Sequence, residues 1–179
     1  MGTVIGANIR LACLEDAAGI ARVETETWRD AYPTLLSDGF LVETLGKRAR
    51  WPGRLRGKVR SVLVAETKPV GIVAYATWGR AVHASIAGAG QLYELYVDAD
   101  FREQGLGRNL CREVAKKAVS SGWPALCVEV LDGNPSRFFY EALGARLIAR
   151  SHHEFAGRRL PSLIYSWDDL TQLANAGAS

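Results

Sequence analysis

Apolar positions along this chain switch between a helical and an extended period. Ile20, Val23, Thr27 and Trp28 recur at helical spacing after Glu15-Asp16, with Glu24, Glu26 and Arg29 between them. A helix is predicted there, which Pro33 ends or follows with another. A short strand over 8–13 precedes it. A second helix is predicted over about 38–50, where Phe40, Leu41, Leu45 and Ala49 share a face, with Pro52 and Gly53 as its break. Runs at 59–66 and 70–78 read as strands joined by the polar turn Thr67-Lys68-Pro69, hence a hairpin. Residues 79–90, rich in Gly and Ala, read as a loop, and 92–97 as a strong strand.

The second half has a clearer rhythm. Leu106, Leu110, Val114 and Ala118 line one face of a helix over about 106–121, and Arg112, Glu113, Lys116 and Lys117 line the other. Gly122 stops it. A strand over 125–130, a short helix over 134–142 closed by Gly144, and strands over 145–151 and 160–167 follow. The last two are joined by a polar segment around His153 and Gly157. The tail from 175 to 179 is expected to fray. Strands grouped before one helix, with a hairpin at the end, argue for an α+β fold with a mixed sheet.

Composition narrows the classes. At 179 residues the chain suits one domain, with a core over about 8–168. A hydrophobic share of 48% and a charged share of 23% exclude disordered and fibrous classes. A net charge of +3, without a long basic block, gives no case for nucleic acid. No apolar run has the length of a membrane span, and the first ten residues lack a signal-peptide pattern. Cys13, Cys111 and Cys127 have no Cys-x-x-Cys spacing and read as reduced, mostly buried thiols of a cytoplasmic protein. His83, His152 and His153 read as surface or loop residues, and no Cys/His cluster has zinc spacing.

The chemistry sits in residues 92–108, Leu-Tyr-Glu-Leu-Tyr-Val-Asp-Ala-Asp-Phe-Arg-Glu-Gln-Gly-Leu-Gly-Arg. A strand runs into a loop with two glycines and straight into an amphipathic helix. Free amides and the positive end of the helix dipole, approached closely at glycine, make a phosphate site. Arg102 and Arg108 flank it. The dinucleotide pattern fails, because Leu110 stands where its third Gly belongs, and no P-loop sequence occurs. Glu94 is a carboxylate within an apolar strand, on the same face as Leu92 and Tyr96. It is either a proton acceptor, or a carboxylate paired with an Arg or at a sheet edge.

Arg102-x-x-Gly105-x-Gly107 resembles the acyl-CoA pyrophosphate loop of the GNAT superfamily of N-acetyltransferases. The resemblance extends to Asn134-Pro135-Ser136-Arg137-Phe138-Phe139-Tyr140-Glu141-Ala142-Leu143-Gly144 at the right distance. It also takes in Ile9-Arg10-Leu11-Ala12, Glu15-Asp16 and Trp28-Arg29-Asp30-Ala31-Tyr32. Two departures stand out. Ala145 follows the last Gly where many relatives have an aromatic, and one residue fewer separates Asn134 from Tyr140.

The resemblance implies a single GNAT-like domain, a mixed, mostly antiparallel sheet flanked by helices on both faces. It implies transfer of acetyl from acetyl-CoA to a primary amine by direct attack, without a metal. The backbone of Glu103, Gln104, Gly105, Leu106, Gly107 and Arg108 would wrap the pyrophosphate, with Arg102 and Asn134 also toward the cofactor. Leu95, Tyr96 and Val97 would pair with the pantetheine arm, and an N–H there would hold the oxyanion. Glu94 would be the base, directly or through water. Tyr140 would protonate the CoA thiolate. Trp28, Tyr32 and Glu94 would line the acceptor site. Core packing is the competing reading for Trp28 and Tyr140. A homodimer is expected from the family, and no nucleic-acid or membrane partner. A longer acyl-CoA, a non-catalytic CoA-binding module and a nucleotide-binding protein are the alternatives.

Overall fold

The computed structural model describes residues 6–31, 51–57, 60–82, 86–155 and 157–175. They form strands β1 (Asn8–Leu11), β2 (Ser61–Thr67), β3 (Gly71–Arg80), β4 (Gly90–Val97), β5 (Leu126–Leu131), β6 (Arg146–Phe155) and β7 (Arg158–Trp167). The helices are α1 (Ala17–Ala31), α2 (Trp51–Arg56), α3 (Leu106–Ser120), α4 (Arg137–Ala142) and α5 (Leu170–Asn175). The strands make one mixed sheet in the order β1-β2-β3-β4-β5-β7-β6. β1 with β2, β5 with β7 and β6 with β7 are antiparallel, while β4 and β5 are parallel. The parallel register is Gly90↔Leu126, Gln91↔Cys127 and Leu92↔Val128, and β4 runs on to Val97. None of the described helices is long and apolar enough to cross a membrane.

The chain divides into two compact units, Met1–Thr77 with Glu94–Leu110, and Trp78–Tyr93 with Cys111–Ser179. In the first, Ile20 and Val23 of α1, Trp51 of α2, Val62 and Val64 of β2, and Ile72 and Tyr75 of β3 form a buried cluster. The 3–4 spacing read from the sequence is what puts Ile20, Val23 and Trp28 inward. Gly19 permits the close approach of α1 to β3, since a Cβ there would lie 2.9 Å from Cγ1 of Ile72. In the second unit, Ala89, Ala125, Cys127 and Ile164 pack together, with Ala81, Ile86 and Ala149 against them. Helix α3 ends as its sequence requires. Gly122 takes φ of 69° and the Trp123 amide bonds back to the Ala118 carbonyl at 3.1 Å.

Several boundaries differ from the sequence reading. Pro52 and Gly53 lie in the first turn of the short helix α2, where proline is tolerated. The helix expected over 38–50 lies outside the described residues. Strand β3 continues to Arg80 and β4 begins at Gly90, so the 79–90 loop is shorter than expected. The final hairpin is longer: His152 and His153 pair with Pro161 and Leu160 within it. Helix α4 starts at Arg137, after a turn in which the Asn134 side chain accepts the Ser136 amide at 2.9 Å. Helix α5 was not expected. It runs to Asn175, the first residue of the tail that the sequence reading expects to fray.

Candidate active site

The loop expected to hold a phosphate is built from strand β4 outward. Its root is Asp98, a buried carboxylate whose Oδ1 accepts the Asp100 amide at 3.2 Å and whose own amide donates to the Val73 carbonyl at 2.9 Å. Arg22 of α1 donates to Asp98 Oδ2 and to the Ile72 carbonyl, both at 2.7 Å. A 3-10 turn over Ala99–Phe101 follows. Arg102 then turns back. Its Nε donates to the Val97 carbonyl at 3.2 Å and its Nη2 lies 3.4 Å from Asp30. Glu103 at φ 61° and Gly105 at φ 80° bend the backbone through the left-handed region.

The first helical bond of α3 runs from the Asn109 amide to the Gly105 carbonyl at 2.9 Å. The amides of Leu106, Gly107 and Arg108 therefore belong to a first turn, which has no acceptor within the helix. A Cβ on Gly105 would meet nothing within 4 Å, so the loop is open on that side. Gln104 donates from Nε2 to the Asp100 carbonyl at 3.1 Å, while its buried Oε1 has no hydrogen-bond partner among the described residues. A backbone-lined, positively polarised and open turn fits a pyrophosphate in shape and charge.

The strand entering this loop carries the second feature. Glu94 is 6% exposed. Its Oε2 accepts from Nη2 of Arg54, on α2, and from the Thr77 hydroxyl at 3.0 Å. Nη1 of the same guanidinium lies 3.8 Å from Oε1 of Glu24, and Trp51 Nε1 donates to Glu24 Oε2 at 2.7 Å. Aromatic rings surround these charges. Trp51 meets Tyr75 edge-on at 5.1 Å, Tyr75 meets Tyr96 at 5.4 Å, and Tyr96 meets Trp28 at 6.4 Å. So Trp28 is buried against Tyr96, as its core reading requires, and Glu94 pairs with an arginine. Leu95, Tyr96 and Val97 continue the strand towards Asp98. Tyr32 lies outside the described residues.

The second unit holds the other two expected residues. Tyr140, on α4, is 7% exposed and packs edge-on against Phe139 at 5.2 Å and Trp167 at 5.8 Å. The turn after α4 is closed by the Ala145 amide on the Tyr140 carbonyl at 3.0 Å, with Gly144 at φ 86°. Asn134 spends its side-chain oxygen on the local turn. His153, expected at the surface or on a loop, lies on strand β6 with a partly exposed side chain, its Nδ1 at 3.0 Å from Glu129, whose other oxygen accepts from Ser162 at 2.6 Å.

Sequence reasoning missed Glu24, Arg54, Arg22 and Asp98 as parts of this apparatus. One signal was available. Glu24 falls between Val23 and Thr27 on the stripe that faces inward, so a carboxylate there is out of place. Arg54 gave none, since its partners lie 30 and 40 positions away.

Known proteins are similar to this chain. The family described as FR47-like protein matches residues 70–155, which include β4, the glycine loop and α4. An uncharacterized N-acetyltransferase of Bacillus subtilis, YuaI, is 29% identical over 93% of this chain and 95% of its own. The PaiA N-acetyltransferase of Thermoplasma acidophilum, solved in complex with coenzyme A, superposes with a TM-score of 0.71 at 17% identity, over 90% of this chain and 99% of that one. YncA of Salmonella typhimurium, described as a putative acetyltransferase with its cofactor acetyl-CoA, gives 0.65 at 21% identity, over 91% and 94%. With the glycine loop opening α3 and the Asn134–Gly144 segment closing on Tyr140, the chain is similar to proteins described as FR47-like and as N-acetyltransferases, and it has the fold of solved GNAT acetyltransferase structures.

Proposed function

We propose that this protein transfers acetyl from acetyl-CoA to a primary amine in a ternary complex, by direct attack of the amine on the thioester. The observation that carries the reading is Glu94, a buried carboxylate on the strand that feeds the glycine loop. The loop from Glu103 to Arg108 binds the donor's pyrophosphate through its amides, and Arg102 braces the loop from the strand side. The backbone of Leu95, Tyr96 and Val97 pairs with the pantetheine arm, and one of its amides stabilises the developing oxyanion. The carbon–nitrogen bond forms as the carbon–sulfur bond breaks. Glu94 takes the proton from the attacking nitrogen, directly or through water, and Tyr140 gives one to the departing sulfur.

The pairing of Glu94 with Arg54 favours a second reading, in which that carboxylate is structural and the amine loses its proton to solvent. One experiment separates them. Wild-type protein, Glu94→Gln and Tyr140→Phe are incubated with acetyl-CoA and an alanyl peptide, spermidine, lysine or kanamycin, and free CoA thiol is followed. Acetylation of at least one amine is expected, with kcat lowered about 100-fold by each substitution. Full activity in Glu94→Gln selects the structural reading. Absence of transfer to every amine by protein that binds acetyl-CoA contradicts the proposed function. Butyryl-CoA and octanoyl-CoA in the same assay test the acyl-chain preference, and the fastest donor is expected to be acetyl-CoA.

A further inference from the structure

Glu24 is buried to 2% exposure on the helical face it shares with Ile20 and Val23. A carboxylate at such a position costs stability that a leucine would not, so its retention needs a reason. Its surroundings supply one. Trp51 donates to one oxygen at 2.7 Å, and the other faces the Arg54 guanidinium at 3.8 Å. The guanidinium also lies over the Trp51 ring, Cζ being 3.9 Å from its centroid. It is thus located from two sides, by Glu24 and by the indole, and its Nη2 is delivered to Oε2 of Glu94. Thr77 donates to that same oxygen. Arg54 links the two carboxylates.

We propose, on the reading of Glu94 as the proton acceptor, that Glu24 and Arg54 are positioning residues for it. Glu24 and Trp51 fix the guanidinium, and the guanidinium with Thr77 fixes one oxygen of Glu94, so the carboxylate meets the incoming amine in one orientation. A catalytic carboxylate held this way loses little entropy at the moment of proton transfer. Arg54, at 27% side-chain exposure, is the member of the chain nearest solvent. Substituting it therefore tests the link without hollowing the core.

The test is a double-mutant cycle read as kcat and KM for whichever of the alanyl peptide, spermidine, lysine or kanamycin the wild type acetylates fastest. Glu24→Gln keeps an acceptor for Trp51 and loses the charge facing Arg54. It is expected to lower kcat about tenfold, with acetyl-CoA affinity unchanged by calorimetry. In a Glu94→Gln background it is expected to cost nothing further, because its target is gone. Arg54→Met is expected to behave in the same way, and Arg54→Lys to recover part of the loss. Should Glu24→Gln unfold the protein, the cycle with Arg54→Met stands alone. Equal losses in both backgrounds, or an unchanged kcat in the wild-type background, overturn the positioning role. Wild-type activity in Glu94→Gln is a different result and removes the base instead.

Discussion

Tyr140 shows how much a single atom is asked to do. Its ring is fixed by Phe139 and Trp167, so Tyr140→Phe keeps the packing and removes only the hydroxyl. The expected outcome is a large fall in kcat with acetyl-CoA affinity within about twofold of wild type. A parallel fall in affinity would show that the hydroxyl serves binding. The cysteines give a second residue-scale prediction. Burial pushes the Cys111 thiol up to about 12 and raises that of Cys127, and both are buried, whereas Cys13 is exposed. A disulfide reagent at mildly alkaline pH should therefore reach only Cys13 in the native protein and all three after unfolding. At this scale the sequence exposed Glu94 because a lone charge interrupts an apolar strand. It concealed Arg54 because a guanidinium beside Pro52 and Gly53 reads as surface, and its ion pairs are contacts over long separation. It exposed Gly105 through spacing alone, and φ of 80° gives the physical reason for that glycine.

Elements are joined by charges as well as by apolar faces. Arg10 on β1 makes bonds of 2.7 and 2.8 Å to Asp16, in the turn leading to α1, and 3.0 and 3.1 Å to Glu66 on β2. The hydrogen bond from Arg10, ahead of the other causes, lowers the Asp16 carboxyl from 3.8 to about 2. A carboxylate depressed in the folded state stabilises it above the unfolded value and loses that contribution as pH falls through the folded one. Wild-type stability should therefore decline between pH 3.8 and about 2, and Asp16→Asn should flatten that part of the curve. Urea midpoints measured across this range check it, and an unchanged slope in the variant would refute the assignment. In the other unit, a Cβ on Gly90 would stand 1.8 Å from Cε3 of Trp123, so Gly90→Ala must displace the indole. A loss of roughly 1–3 kcal/mol is expected in thermal unfolding.

The helices with a sustained apolar stripe, α1 and α3, were legible because three or four buried residues repeat the period. Helix α5 was not, since six residues with Leu170 and Leu173 give one turn of pattern. The ends of β6 and β7 were hidden for another reason. His152-His153 and Arg158-Arg159 look like a loop by polarity, yet cross-strand pairing fixes them in the hairpin. Asn134, matched by family resemblance, serves its own turn, a role that an Asn-Pro pair before a helix often plays.

At the scale of the whole molecule, the two units each carry a share of the expected chemistry. Glu94, the loop from Arg102 to Arg108 and the Glu24–Arg54 link belong to one, and Tyr140 and Asn134 to the other. A net charge of +3 gives the protein no strong field of its own, so the proposed binding of the donor's pyrophosphate would rest on the local amides of the loop. ATP offers phosphate without a pantetheine arm, and that difference isolates the contribution of strand β4. The most direct measurement is calorimetric titration of wild-type protein and Gly107→Phe with acetyl-CoA, CoA and ATP. Gly107 lies in the first turn of α3, where replacing glycine does not weaken the helix but, on the proposed function, would obstruct the approach of a phosphate. The account predicts binding of acetyl-CoA and CoA by the wild type, weak or no binding of ATP, and loss of acetyl-CoA binding in a variant that melts like the wild type. Folded wild-type protein that takes up no acetyl-CoA, or a Gly107→Phe variant that binds it as tightly, would contradict the loop's assignment as the donor site.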